Sequence, residues 1–329
     1  MLDWRCRGGH FLWMALTLGT GTELVGCSSD SGGEDPVASD DGVVIDTGEA
    51  AGDDATDSDG SGGDSGGTTG DGVNLDAGLG GGTDGDNGTE GGPDTCIEDV
   101  DVVFVMDVST TMGGFFDVLE AEIETVHQAV TQLDLISEPH YGLVVFVDDF
   151  TLENAGAPYT DVTELQAKFE EWNTRTSTNS QTNGSGSNST FPENSLDAIY
   201  AGASGFQWRP SASTLRLIIH TTDDTFWDRD VNATGNGVTI QRNYGDVVSA
   251  LQDNEIRFFT FAATIGGSTG TTDVSPGWSA DYMGQPPIKD VTDGDWFDID
   301  QVLAGSVSLA DAIEGAVIDN RCEEFPPVG

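Results

Sequence analysis

The sequence predicts a doubly wound, mostly parallel α/β sheet over residues 96–322, and three observations predict it. Composition changes abruptly near residue 95. Beyond that point continuous apolar runs alternate with amphipathic ones, and acidic or hydroxyl residues stand where the apolar runs end. Strand, helix, strand, helix order is the pattern of a doubly wound sheet, whose ligands bind at the carboxyl ends of the central strands.

Taken in chain order, Val100 to Asp107 (VDVVFVMD) is an apolar run ending in an acid, which suits a strand buried on both faces. Phe115, Leu119, Ile123, Val126, Val130 and Leu133 recur at helical spacing with acids between them. Tyr141 to Asp148 (YGLVVFVD) reads as the second strand, and Val162 to Trp172 and Ser195 to Phe206 read as helices. Leu215 to Thr222 (LRLIIHTT) is the third central strand, Tyr244 to Asp253 a helix, Ile256 to Ala263 a strand and Val302 to Ile318 a closing helix. Two polar insertions, Asn173 to Ser189 and Gly266 to Gly277, read as loops, and 323–329 as a tail.

The preceding segment is of another kind. Residues 28–95 carry 18 acidic residues, no Lys or Arg and no aromatic side chain. Such a stretch buries too little apolar surface to offset the entropy of ordering it, so 27–95 reads as a disordered acidic linker with a reach of roughly 40–50 Å. Of the net charge of −47, this segment contributes −18. The first 26 residues are neutral, which leaves −29 for the folded part. With two lysines in the whole chain, nucleic acid is not an expected partner, because binding phosphate needs clustered Lys and Arg. Attraction for divalent cations is expected instead.

The first ten residues carry Arg5 and Arg7, and Phe11 to Leu18 form an apolar run too short to span a bilayer. This reads as a signal peptide over 1–26. Its end, Leu24-Val25-Gly26-Cys27, resembles the lipobox of bacterial lipoproteins. The resemblance implies lipidation of Cys27 and, with Ser28 rather than an acid following, the outer membrane. Contact with a membrane is then expected only through that lipid. Cys96 and Cys322 bracket the folded part, and an oxidising compartment predicts a bridge between them worth about 4–5 kcal/mol in the chain-entropy model.

The chemistry gathers at the predicted strand ends. Asp107-Val108-Ser109-Thr110-Thr111-Met112 resembles the Asp-x-Ser-x-Ser metal-binding motif of von Willebrand factor type A domains, with Thr111 keeping the second hydroxyl. Phe191-Pro192-Glu193-Asn194-Ser195-Leu196-Asp197, then Trp208-Arg209, then Leu217 to Asp223, are similar to the corresponding run of integrin β-subunit I-like domains. The resemblance covers most of residues 97–320. It implies a Rossmann-like fold and one metal-ion-dependent adhesion site built from Asp107, Ser109, Thr111, Glu193 and Asp223. Gly114 and Phe115 stand where that subfamily has an acid pair for a second ion, and Thr190 stands where a further site expects Asp, so one ion is expected.

Elementary chemistry agrees. Mg²⁺, or Ca²⁺ or Mn²⁺ in its place, takes oxygen ligands. Two hydroxyls add no charge, so the ion keeps positive character and an exchangeable position that a partner protein's carboxylate can fill. That is a binding device, not an enzyme. Two rival readings stand beside it. One is a surface spacer without metal-dependent binding. The other is a haloacid dehalogenase-like phosphatase, which would need a second Asp where Ser109 stands and a lysine that neither Lys168 nor Lys289 supplies by position. His127, His140 and His220 read as structural or exposed, and Trp227 as the aromatic nearest the site.

Overall fold

The protein is described from a computed structural model covering residues 96–327 apart from 134, 136, 185, 268 and 269. The expected signal peptide, the lipidation at Cys27 and the acidic linker lie outside the described residues.

The chain opens with β1 (Asp99–Asp107), a short 3₁₀ turn over Thr110–Met112, and α1 (Gly113–Thr131). There follow β2 (His140–Phe146), β3 (Phe150–Leu152), α2 (Val162–Thr176), α3 (Ser195–Gly205) and β4 (Thr214–Thr222). A small hairpin, β5 (Thr234–Gly235) and β6 (Val238–Thr239), leads into α4 (Tyr244–Asp253) and β7 (Ile256–Ala262). A second hairpin, β8 (Ile265–Gly266) and β9 (Thr272–Asp273), precedes α5 (Ile288–Val291) and β10 (Trp296–Asp298). Helices α6 (Ile299–Leu303) and α7 (Leu309–Asn320) end the fold.

Six strands form one sheet in the order β10-β7-β4-β1-β2-β3, parallel except for the antiparallel edge strand β3. This is the doubly wound α/β architecture that the strand–helix alternation predicts. β1 lies at the centre, and its side chains divide between two cores. Val102, Phe104 and Met106 pack with α1, α2 and α7, while Val103 and Val105 pack with α3 and α4. A strand covered on both faces need not alternate apolar and polar residues, which is why Val102 to Met106 is an unbroken apolar run.

The end of the sheet where β1 begins is clasped. Cys96 and Cys322 are bonded across a sequence separation of 226, and Ile97 N–H donates to the Arg321 carbonyl at 2.7 Å. The buried Arg257 guanidinium donates to the carbonyls of Glu323 and Glu324, holding the first residues of the tail. Arg209 closes on the buried Asp101 carboxylate through Nε at 2.7 Å and its backbone N–H at 2.8 Å. Trp208 donates to the carbonyls of Gly202 and Ala203. These two residues, part of the run resembling integrin I-like domains, therefore serve the fold and not the site.

Three expectations need correction. The closing helix expected over Val302 to Ile318 is two helices. Gly305, at φ +69°, ends the first, and Ser308 caps the second by accepting from the Asp311 N–H. The polar insertion Asn173 to Ser189 is less of a loop than its composition suggests. α2 runs on to Thr176, and Arg175 Nη2 binds the carbonyls of Gln181, Thr182 and Gly184, so Gln181, Thr182 and Asn188 are buried. The insertion Gly266 to Gly277 carries half of the β8–β9 hairpin.

Candidate metal centre

The carboxyl ends of β1 and β4 and the turn before α3 meet at one edge of the sheet. Asp107 ends β1 and is fully buried. Its Oδ1 accepts from the Ser109 N–H at 2.8 Å, and its Oδ2 accepts from the Thr222 hydroxyl at 2.9 Å. The Ser109 and Thr111 hydroxyls lie 3.1 Å apart, and the Thr111 hydroxyl donates to Asp223. Glu193 is brought in by backbone pairing. Its N–H donates to the Thr225 carbonyl at 2.9 Å, its carbonyl accepts from the Trp227 N–H at 2.8 Å, and Asn194 N–H ties the next residue to the Val147 carbonyl. Glu193 Oε1 accepts from the Asn188 amide at 2.8 Å. All five residues expected at the site are thus gathered at the same strand ends.

The electrostatics are strained by like charge. Burial, then the Asp223 charge, raises the Asp107 carboxyl well above the usual range. Burial and the Asp107 charge do the same to Glu193, with Asp148 and Asp224 adding smaller amounts. Burial also raises Asp223. Asp224, 1% exposed, is pushed up to about 7 by burial and by Asp223. Among the described residues none of these four acids forms an ion pair with Lys, Arg or His. Glu193 Oε2, Asp223 Oδ1 and both Asp224 oxygens are buried without a hydrogen-bond partner. Buried charge is tolerated only when paired or bound to a cation. This oxygen-only donor set, with orphaned carboxylate oxygens, fits a hard divalent cation. No three His, Cys, Asp or Glu side chains among the described residues converge closely enough to hold an ion unaided. The Ser109 and Thr111 hydroxyls and water would have to complete the shell.

No family model matches the chain, and no curated protein does. Solved structures do match. One is proximal thread matrix protein 1 from the mussel byssus with a zinc-occupied MIDAS motif, at 10% identity and TM-score 0.40 over 68% of this chain. Another structure of that mussel protein matches at 11% identity and TM-score 0.41 over the same share. In both the match spans less than half of the mussel protein, 46% and 48% of its length. An aerotolerance-related membrane protein from Bacteroides fragilis matches over 67% of this chain and 99% of its own, at 14% identity and TM-score 0.35. In its doubly wound sheet and in the order of its strand-end residues the chain resembles the von Willebrand factor type A domain.

The positions flanking the carboxylates are also informative. Thr190 uses its hydroxyl to donate to the buried Asp148 at 2.7 Å, and Gln181 and Asn236 donate to the other Asp148 oxygen at 2.6 and 2.8 Å. Three neutral donors hold this carboxylate, one on Oδ1 and two on Oδ2. Gly114 lies against Leu303 and offers no ligand atom.

The groups a rival chemistry would need lie elsewhere. Lys168 pairs with Glu153 and Glu171, and Lys289 with Asp290. His220 is buried among Phe146, Phe258 and Trp278, and its Nδ1 lies 2.9 Å from the Thr260 hydroxyl. His127 meets the Tyr141 hydroxyl, and His140 sits near Asp101 at the clasped end. Trp227 packs against Gly235 of the β5–β6 hairpin, where a methyl group would meet its ring at 2.4 Å. The exposed aromatic at the site is Phe191, 47% accessible and joined to Pro192 by a cis peptide. Sequence reasoning also passed over Asp224 and Thr222. The adjacent pair Asp223-Asp224 at a strand end was the signal, but nothing in the sequence says that Asp224 is buried.

Proposed function

We propose that residues 96–322 form a von Willebrand factor type A-type binding module that holds one divalent cation and, through it, a carboxylate of a partner protein. Asp107, Ser109, Thr111, Glu193 and Asp223 would hold the ion, directly or through water, with Asp224 adding charge beside them. Mg²⁺ is the first choice and Ca²⁺ or Mn²⁺ the alternatives. When bound, the ion supplies an exchangeable position for an incoming carboxylate oxygen. The observation that carries this reading is the cluster of four acids, Asp107, Glu193 and Asp224 buried and Asp223 half-buried, with orphaned oxygens on Glu193, Asp223 and Asp224 and no basic partner among the described residues. Hydroxyl ligands and the distant lysines and histidines favour binding over catalysis.

Two further features support a protein as the ligand. Exposed apolar side chains stand on segments that adjoin the site. Phe191 precedes Glu193 by two residues, Ile265 precedes the glycine lying against the Asp223 carbonyl, and Leu303 lies against Gly114 at the start of α1. Apolar side chains beside a polar centre suit a protein contact. The disulfide-clasped start of β1 and the acids at its end are separated by the strand's nine residues, roughly 30 Å. A lipid proposed at Cys27 in the outer membrane would join the folded part through the acidic linker at Cys96, whose bridge lies at the other end of β1 from the acids. Among the described residues no helix is long and apolar enough to cross a membrane.

Thermal unfolding of the full chain in chelator, Mg²⁺, Ca²⁺ and Mn²⁺, beside Asp107→Ala and Asp223→Ala, tests the centre. An ion at about 100 times its Kd stabilises by about 2.7 kcal/mol, or about 5–10 °C for a domain of this size. A rise seen in the parent and absent from both variants is expected. No rise with any ion would sink the metal reading and leave the surface-spacer alternative.

A further inference from the structure

A cavity of about 320 Å³ lies between the turn that follows Trp227, the start of α4 and the turn that precedes α5. Asp228, Asp230, Val231, Tyr244, Tyr282 and Met283 wall it, and it shares no residue with the metal centre. Asp228 is 4% exposed, and its oxygens accept from the N–H groups of Asp230 at 2.8 Å and Tyr244 at 3.1 Å. Among the described residues no basic side chain pairs with it. Asp230 keeps 63% of its side chain exposed. Arg229 and Asn243 each take one of its oxygens, which leaves each oxygen a second acceptor position.

The rest of the wall is apolar, and the fold gains little from it. Tyr282 and Gln285 exchange backbone hydrogen bonds of 2.9 Å around Met283 and Gly284, whose φ values of +51° and +82° are those of a type I′ turn. Asn or Gly suits the first of these positions, and a longer side chain is strained there. Burial does not offset the strain, because Met283 is 75% exposed. Val231 is 53% exposed. Methionine is flexible and polarizable, which suits a surface that moulds itself to a partner. The Tyr282 ring is held from within, its centroid 4.8 Å from that of Phe226 and 5.1 Å from that of Tyr244.

Together these walls select an occupant. An anionic group would meet Asp228 and Asp230. A purely apolar group would strip water from Asp230 without pairing it. A basic side chain suits both walls, its charge against Asp230 and the Tyr282 ring and its methylene stem along Met283 and Val231. The net charge of −29 on the folded part draws such a partner in. We propose that this cavity is a docking subsite for an arginine or lysine side chain of a basic partner protein, with Asp230 as its counter-charge and Met283 as the surface on which its stem packs. The ion proposed at the metal centre plays no part in it.

The test titrates the full chain, labelled with carbon-13 at its methionine methyl groups, with acetyl-Gly-Arg-Gly-amide in chelator. The Met283 resonance should shift along a saturable curve, while that of Met112, buried beside Thr111 at the metal centre, stays still. The same peptide with citrulline, the uncharged isostere of arginine, should bind about fivefold more weakly, the upper range for an exposed ion pair. Asp230→Asn should bring the arginine peptide close to the citrulline one. Met283→Gly relieves the turn, so it should raise the thermal midpoint while weakening the arginine peptide about fourfold, the packing of one methylene, as read on the Tyr282 ring resonances. A higher midpoint with unchanged binding would overturn the subsite, because Met283 would then be loop surface alone. Equal binding of the two peptides would overturn it as well, and so would a shift of Met112 with Met283 unmoved.

Discussion

Replacing Cys96 and Cys322 by Ser should lower stability by an amount that loop length sets and the metal centre does not share. The bond closes a loop with a sequence separation of 226. In the chain-entropy model, releasing a loop of that size returns about 18 cal/mol/K to the unfolded chain, or about 5 kcal/mol at 25 °C. At about 2–4 °C per kcal/mol, the midpoint should fall by about 10–20 °C. The clasp would not vanish with the sulfurs, because Ile97 remains bonded to Arg321 and Arg257 to the carbonyls of Glu323 and Glu324. The fold should therefore survive with its far-UV signature intact. The bridge and the carboxylates lie at opposite ends of β1, beyond the distance at which mutational effects couple. The loss should be the same in chelator and in Mg²⁺ when both are read by thermal unfolding. A fall below about 4 °C, or a loss that Mg²⁺ abolishes, would refute the reasoning.

Four further outcomes follow from named atoms. Asp224, raised to about 7 in the fold from its ordinary value of 3.8, retains a proton that the unfolded chain has lost. Its carboxyl therefore costs stability as pH rises from about 4 through 7, and Asp224→Asn should unfold at higher temperature than the parent in chelator at pH 8, with the gap closing at pH 5. His220, lowered to about 3 by burial, stays neutral where the unfolded chain would take a proton. Its contribution is present above about pH 6.5 and is lost as pH falls, and its ring resonances should not titrate between pH 8 and 4 while the fold persists. Because the parent and the Asn variant share His220, it cancels from the first comparison. Gly266→Ala would place a methyl group 1.9 Å from the Asp223 carbonyl oxygen and should cost at least about tenfold in Mn²⁺ affinity, the scale of lost support behind a ligand. Gly315→Ala, in α7 with open space around it, should instead stabilise by about 0.5–1 kcal/mol and leave Mn²⁺ binding unchanged.

The central strands were legible because burial on both faces leaves a mark that needs no tertiary information: apolar residues at adjacent positions and not only at alternate ones, as in Val102 to Met106, Leu143 to Val147 and Leu217 to Ile219. The edge strands β3 and β10 left no such mark. Each has three half-buried residues and forms only because a neighbouring strand offers it backbone groups. The broken closing helix was legible in principle, since Gly305 and the Ser308-to-Asp311 spacing are local stop and start signals. Reading the apolar residues alone carried the helix across them. The buried polar wall around Asn188 could not be read. Its order depends on Arg175 reaching three carbonyls and on Asn236 reaching Asp148 across 88 residues.

The same division runs through the site. Asp107, Ser109 and Thr111 belong to one turn, so their spacing alone places them together. Glu193 and Asp223 come from distant segments, and resemblance placed them where the sheet brings them. What decides their chemistry is collective: burial raises all four acids, Asp223 raises Asp107 and Asp224 further, and Asp107 and Asp224 raise Glu193 further. A cation lowers the cost of ionising all of them at once, and its binding should release protons that the carboxylates otherwise retain. Proton release on adding Mg²⁺ near pH 7, lost in Asp107→Ala, would tie the electrostatics of the cluster to the ion directly. Stabilisation by Mg²⁺ without proton release would mean that the ion sits elsewhere on this acidic surface.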